Sequence, residues 1–212
     1  MSLKPLDWNV VVVGRWNLAI LTPAGIRKYM FGGLPEATQL RIAVPLDGIS
    51  PYMIEDPNNE ITVIPSADRI VIKLQKEDYR MLRSAMQAGV KVLSSLPETP
   101  VSAAGFNIRF IVDEIPLELI DVANSTIDQK LATLNYYNIV SRTISRSISY
   151  NDGLMNLVID IKEDSVSTVV FNFHQGSNDR QKLINWLNLP VEDIELKIGE
   201  IIQKLGLDIV QS

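Results

Sequence analysis

The amino-acid sequence predicts an α+β protein built from two tandem β-α-β(3–4)-α units, residues 1–97 and 98–212, that form a curved antiparallel sheet with helices packed on one side. Three observations predict it. Residues 10–96 read strand, helix, several strands, long helix, and residues 101–205 run through the same order. Within each half the strand segments follow one another through turn residues, the sign of a meander rather than of parallel crossovers. The stretch Pro97-Glu98-Thr99-Pro100 between the halves is short and stiff, so the two units are expected to pack together.

In the first half, residues 8–21 are rich in Val, Trp, Ile and Leu and read as one long strand, with Gly14 marking a bulge or a close backbone approach. Apolar residues on both of its faces argue for a central position. Thr22-Pro23 opens a helix with a hydroxyl cap and a proline where no amide donor is missed, and Gly32-Gly33 closes it. Residues 40–46, 60–64 and 69–74 are strand candidates, separated by Asp56-Pro57-Asn58-Asn59 and Pro65-Ser66-Ala67-Asp68. Residues 75–96 form the clearest helix, with Tyr79, Leu82, Met86, Val90, Leu93 and Leu96 on one stripe.

The second half opens with the strand 101–112, where Gly105 and Asn107 stand near the places of Gly14 and Asn17 in the first. A helix over 116–131 follows, then strands over 136–150, 154–161 and 168–173. Asn151-Asp152-Gly153 marks a hairpin, because Asn and Gly accept positive φ. Residues 178–188 and 191–205 read as helices split at Pro190. Met1-Ser2-Leu3 reads as a remnant added to the natural sequence.

Composition excludes several function classes. With 46% hydrophobic and 21% charged residues the chain is globular rather than disordered. A net charge of −5, with 20 basic against 25 acidic residues, disfavours nucleic acid as a partner. The absence of cysteine removes disulfides, thiolate metal sites and thiol nucleophiles, and fits a cytoplasmic location. The sequence shows no signal peptide and no bilayer-length apolar run. No phosphate loop, dinucleotide fingerprint or nucleophile elbow is present, so no cofactor is expected. The acidic pairs Glu55-Asp56, Asp113-Glu114 and Glu163-Asp164 sit at turns and read as solvated surface, so no metal is expected either.

The order strand, helix, meander, helix, used twice, resembles the arrangement of the TATA-box-binding-protein-like group, and a helix-grip layout is the alternative. The resemblance covers element order only. No sequence motif of that group stands in this chain, so its nucleic-acid binding does not carry over.

Five residues are candidates for ligand binding. Residues 140–150 place Val, Arg, Ile, Arg, Ile, Tyr on one strand face and Ser, Thr, Ser, Ser, Ser on the other. If the hydroxyl face is wet, Arg142 and Arg146 lie on the apolar face. There they form an anion clamp, or else snorkel or pair with an acid such as Asp160. Asn17 and Asn107 are polar residues in apolar strands and are expected at equivalent points near the repeat axis. His174, the only histidine, lacks a nearby pattern that makes it a general base. These readings favour a non-enzymatic binding or protein-interaction module that self-associates or takes a protein partner. The alternative is a binder or enzyme for a small anionic ligand using the hollow side of the sheet.

Overall fold

Eleven strands join one sheet in the computed structural model, which describes residues 2–31, 39–46, 51–58, 60–113, 115–134, 138–162 and 166–209. In chain order the first half comprises β1 (Ser2–Pro5), β2 (Asn9–Gly14), α1 (Pro23–Met30), β3 (Arg41–Ala43), β4 (Met53–Asp56), β5 (Ile61–Pro65), β6 (Arg69–Leu74) and α2 (Tyr79–Ser95). The second comprises β7 (Val101–Val112), α3 (Leu117–Ala123), α4 (Thr126–Ala132), β8 (Ser141–Tyr150), β9 (Gly153–Lys162), β10 (Ser167–Gly176), α5 (Arg180–Leu187), α6 (Val191–Lys204) and β11 (Asp208–Ile209).

The main path across the sheet is β3-β4-β5-β6-β2-β7-β10-β9-β8. All of its neighbours are antiparallel. The opening strands of the two halves, β2 and β7, lie side by side at its centre, and each is flanked on its other side by the last strand of its own meander. The halves therefore share one continuous sheet. β1 continues the β2 edge alongside β7, and β11 pairs with β1 in parallel.

Strict alternation sorts the two faces. Val10, Val12, Ile70, Ile72, Phe106, Ile108, Phe110, Phe171, Phe173, Met155 and Ile159 are buried together with the helices. Gly89 lets α2 lie directly on that layer: a Cβ there would meet Val12 and Val10 at 3.5 and 3.7 Å and Leu187 of α5 at 2.8 Å. Phe106 stacks on Phe173 at 4.6 Å, and Trp186 of α5 packs over Phe106. Helix α2 also ties to α6 through the Arg83–Glu192 ion pair. Among the described residues no helix packs on the opposite face, most of whose positions are half-buried or exposed, Ala103 and Gly105 at its centre being buried.

Most elements fall where the sequence places them, and the departures have local causes. The strand read over 8–21 stops at Gly14, where the register shifts. There Gly14 N–H and Trp16 N–H donate to the carbonyls of Asp68 and Ala67, and the Trp16 indole donates back to Val12 O at 3.3 Å. The chain curls, and Trp16 reaches the core from a turn. The helix read over 116–131 breaks at Asn124-Ser125, because Ser125 caps a new helix in a reciprocal box with Asp128. Leu3 is fully buried in β1, so Ser2–Pro5 form part of the fold. β4 was not anticipated: Met53-Ile54-Glu55-Asp56 is too short to stand out beside its turn. The hairpin at Asn151-Asp152 forms as read, with Asn151 at φ 47°. Gly32-Gly33, Glu163-Asp164-Ser165 and Tyr136-Tyr137 lie outside the described residues.

The halves are also held from the helix side. Arg180 at the start of α5 donates to Leu93 O, Pro97 O and Thr99 O at 2.6, 2.7 and 2.6 Å. One guanidinium thus satisfies carbonyls at the C-terminus of α2 and pins the linker.

Gly105 sits between Val11 and His174 at the centre of the sheet. A Cβ there would lie 2.3 Å from Phe173 O. Gly105→Ala is predicted to destabilise the fold by about 2–3 kcal/mol in urea denaturation. A loss below about 0.5 kcal/mol would show that the strands separate freely at this point.

Candidate functional site

The helix-free face carries one polar row across every strand of the main path. In register order it runs Arg41, Glu55, Thr62, Lys73, Asn9, Asn107, Asn172, Asn156 and Ser147. Four consecutive members are asparagines, and they hydrogen-bond head to tail. Ser147 Oγ donates to Asn156 Oδ1 at 2.7 Å, and Asn156 Nδ2 to Asn172 Oδ1 at 3.0 Å. Asn172 Nδ2 donates to Asn107 Oδ1 at 2.7 Å, and Asn107 Nδ2 to Asn9 Oδ1 at 2.9 Å. The chain ends where Asn9 Nδ2 donates to Asp7 O at 3.2 Å.

The ladder is possible because each asparagine occupies an outward position of its strand and faces another directly across the ladder of backbone bonds. It fixes register, since a one-residue slip of any of these strands would break that strand's links and turn its amide into the helix layer. Each amide has two N–H donors and an oxygen with two lone pairs, and uses one of each within the row. Every asparagine therefore keeps one donor and one acceptor for a ligand. With strands about 4.8 Å apart, the four amides extend over about 14 Å.

The flanks of the ladder are mixed in charge. Lys73 pairs with Asp7 at 2.9 Å. Asp160, two positions along β9, accepts from Ser141 and Thr143 at 3.2 and 3.0 Å and pairs with Lys162 at 3.4 Å. The neighbouring row is apolar at its centre: Ile64, Val71, Val11 and Gly105, then His174 and Leu154. None of the outward strand positions described is Phe, Tyr or Trp.

The residues singled out from sequence divide between the two faces. Asn107 lies in the middle of the ladder. Its partner is Asn9 and not Asn17, which is exposed in the turn after β2, where its Oδ1 accepts from Ala19 N–H at 3.0 Å. The expectation that Asn17 and Asn107 occupy equivalent points near the repeat axis is thereby corrected: the strand ends before it reaches Asn17. His174 is exposed on the open face one row from the ladder, opposite Gly105 and Leu154, and hydrogen-bonds no described side chain.

Arg142 and Arg146 lie on the helix side of β8, as the alternation predicts, and are not brought together with the asparagines. Arg142 Nε donates to Asp128 of α4 at 2.9 Å, with both side chains about one-fifth exposed (20% and 19%). Its acid thus comes from a helix rather than from Asp160. Arg146 is exposed and donates to Ser145 O at 2.7 Å. Arg142 also borders a cavity of about 690 Å³ lined by Ile111, Ile115, Ile120, Ile161 and Val166, with Lys162 at its rim.

The chain matches no protein-family model and no curated protein. Among the described residues no cluster of three metal-ligating side chains occurs, and no helix is long and apolar enough to cross a membrane. Asp113 pairs with Lys4 at 2.9 Å, and Glu114 lies outside the described residues.

The hydrogen bond from Arg142, followed by those from Ser125, holds the Asp128 carboxyl below its ordinary value despite some desolvation. A depressed carboxylate stabilises the fold above its unfolded pKa and loses that contribution as pH falls through the folded value. The stability advantage of wild type over Arg142→Gln is therefore predicted to be full near neutrality and to shrink below about pH 4. Urea denaturation at a series of pH values reads this directly, and a pH-independent difference would contradict it.

For the ladder, Asn107→Ala leaves Asn172 without its acceptor and Asn9 without its donor, and is predicted to cost about 1–2 kcal/mol. Ser147→Ala, at the exposed end of the row, is predicted to cost less than about 0.5 kcal/mol. Equal losses in the two variants would show that the row does not act as a connected unit.

Proposed function

We propose that this protein is a non-enzymatic binding module whose working surface is the open face of the sheet, and that the occupant is a protein partner with a polar, hydrogen-bonding surface. The observation that carries this reading is the asparagine ladder, with its four spare donors and four spare acceptors in a line. Neutral amides that both donate and accept suit amide and hydroxyl groups of a protein surface better than phosphates, which need cationic forks. The mixed charge of the flanks and the lack of outward Phe, Tyr or Trp speak against nucleic acid, whose unpaired bases bind by stacking. The apolar stretch beside the ladder adds contact area without the specificity.

Tandem duplication supplies a reason for the ladder's position. Counting outward from Asn9–Asn107, each half presents first the last strand of its meander, then the strand before it, then the one before that. Lys73, Thr62 and Glu55 stand in the places that Asn172, Asn156 and Ser147 hold on the other side. This order supports two copies of one unit meeting at a near-twofold axis between β2 and β7, as in the TATA-box-binding-protein-like layout. The cysteine-free sequence supports a cytoplasmic setting.

A second reading has its own observation. The cavity of about 690 Å³ beside α3 has largely aliphatic walls with Arg142, Lys162 and Asp113 in its lining, the last paired with Lys4, and suits a small amphiphile with an anionic head.

One experiment separates the two. Isotope-labelled protein is titrated by NMR with a panel of polar peptides and with medium-chain fatty acids. The proposal predicts that peptides shift the side-chain amides of Asn9, Asn107, Asn156 and Asn172. Shifts confined to Ile115, Ile120 and Ile161 on adding fatty acid would favour the cavity and overturn it.

A further inference from the structure

The two ends of the sheet are unequal. At one end β3 has three residues. At the other, β8 offers ten residues, without proline or glycine, and no described backbone group outside β9 hydrogen-bonds to it. A long unpaired edge is a template for another strand unless it is covered or blocked. Exposed apolar residues collect around it: Ile148 on the strand (39%), Val140 just before it (61%), and Ile127 (66%) and Leu134 (48%) in and after α4. Helix α4 lies on the same side of β8 through Asp128–Arg142. Exposed apolar residues near an unpaired edge suit an interaction surface.

The sequence of β8 says what covers it. Its outward face reads Ser141, Thr143, Ser145, Ser147, Ser149, and its helix-side face reads Arg142, Ile144, Arg146, Ile148, Tyr150. Twofold antiparallel pairing of β8 with itself, keeping like faces together, admits few registers. Centred on Ile144 it sets Arg142 against Arg146, and centred on Arg146 it sets that arginine against itself. Like charges directly opposite are unfavourable. Centred on Ser145, residues 141–149 pair along their whole length. Arg142 then faces Ile148, Ile144 faces Arg146, and only hydroxyl residues meet on the outward face. The two arginines exclude the registers centred on Ile144 and Arg146, and among those that remain the one centred on Ser145 pairs the greatest length of strand.

We propose that a second copy of this chain pairs at the β8 edge, in the register centred on Ser145, and joins two sheets into one across a twofold axis. The dimer carries both asparagine ladders on one continuous face, with Ser147 at the end of each ladder opposite Thr143 of the other copy. The apolar fringe from α4 is covered beneath the joined strands. This inference is independent of what binds the open face.

The chain has no cysteine, so an introduced thiol reports its own neighbour. Ser145→Cys places two thiols across the axis, within disulfide reach. Ser149→Cys places them roughly 25 Å apart. Both positions are exposed on the outward face, so neither change burdens the fold. Wild type is expected to sediment as a dimer at micromolar concentration. S145C is expected to cross-link at least tenfold faster than S149C under mild oxidation. Ile148→Arg, which faces Arg142 of the partner copy, is expected to dissociate the dimer roughly tenfold more readily than Ile148→Glu, which is attracted to it. A wild-type monomer at about 100 μM, which sets the affinity scale, would overturn the proposal. So would equal cross-linking of S145C and S149C, or dissociation that ignores the sign of the charge at position 148.

Discussion

The molecule depends on the pairing of β2 with β7, sealed on the open face by the hydrogen bond from Asn107 to Asn9. These are the opening strands of the two halves, and every other strand of the main path is added outward from them. Backbone bonds alone would join the halves but would leave their register to the packing of Val10 and Val12 beneath α2. The amide pair above and the valine layer below fix that register from both faces. The Arg180 clamp then holds the linker against the end of α2. The consequence is a single sheet with one helix-covered face and one open face, and it is this asymmetry that leaves the asparagine row uncovered.

Much of the fold was legible because periodicity and punctuation agree. The long strand β7 and the helix α2 stand out by alternation and by the three-four stripe. Thr22-Pro23 and Asn151-Asp152 act through conformational rules that hold locally. What escaped was set by distant partners. Trp16 reads as strand from its neighbours, yet Asp68, Ala67 and Pro100 take up the backbone on either side and curl it. β1 is four residues long and exists only because β7 extends past the end of β2. The capping box that splits α3 from α4 was present in the sequence as Ser125 and Asp128, hidden inside an apolar pattern that continues across it.

The site was legible in part. Asn107 stood out as a polar residue within an apolar strand, and the same signal was available three more times. Trp8-Asn9-Val10, Met155-Asn156-Leu157 and Phe171-Asn172-Phe173 repeat the motif of Phe106-Asn107-Ile108. Trp16-Asn17-Leu18 carries the same pattern in a turn, which is why the sequence pattern set Asn17 rather than Asn9 as the counterpart of Asn107. Alternation placed Arg142 and Arg146 on the helix side correctly. It could not supply Asp128, because the acid arrives on a separate helix.

The central claim is that Asn9 and Asn107 act together across the seam to make two halves one cooperative unit. A double-mutant cycle with Asn9→Ala, Asn107→Ala and the pair, read by urea denaturation, tests it most directly. The account predicts one unfolding transition in all four proteins and a coupling of at least about 0.5 kcal/mol between the two positions. Additive losses, or a transition that splits in two when the pair is removed, would contradict it.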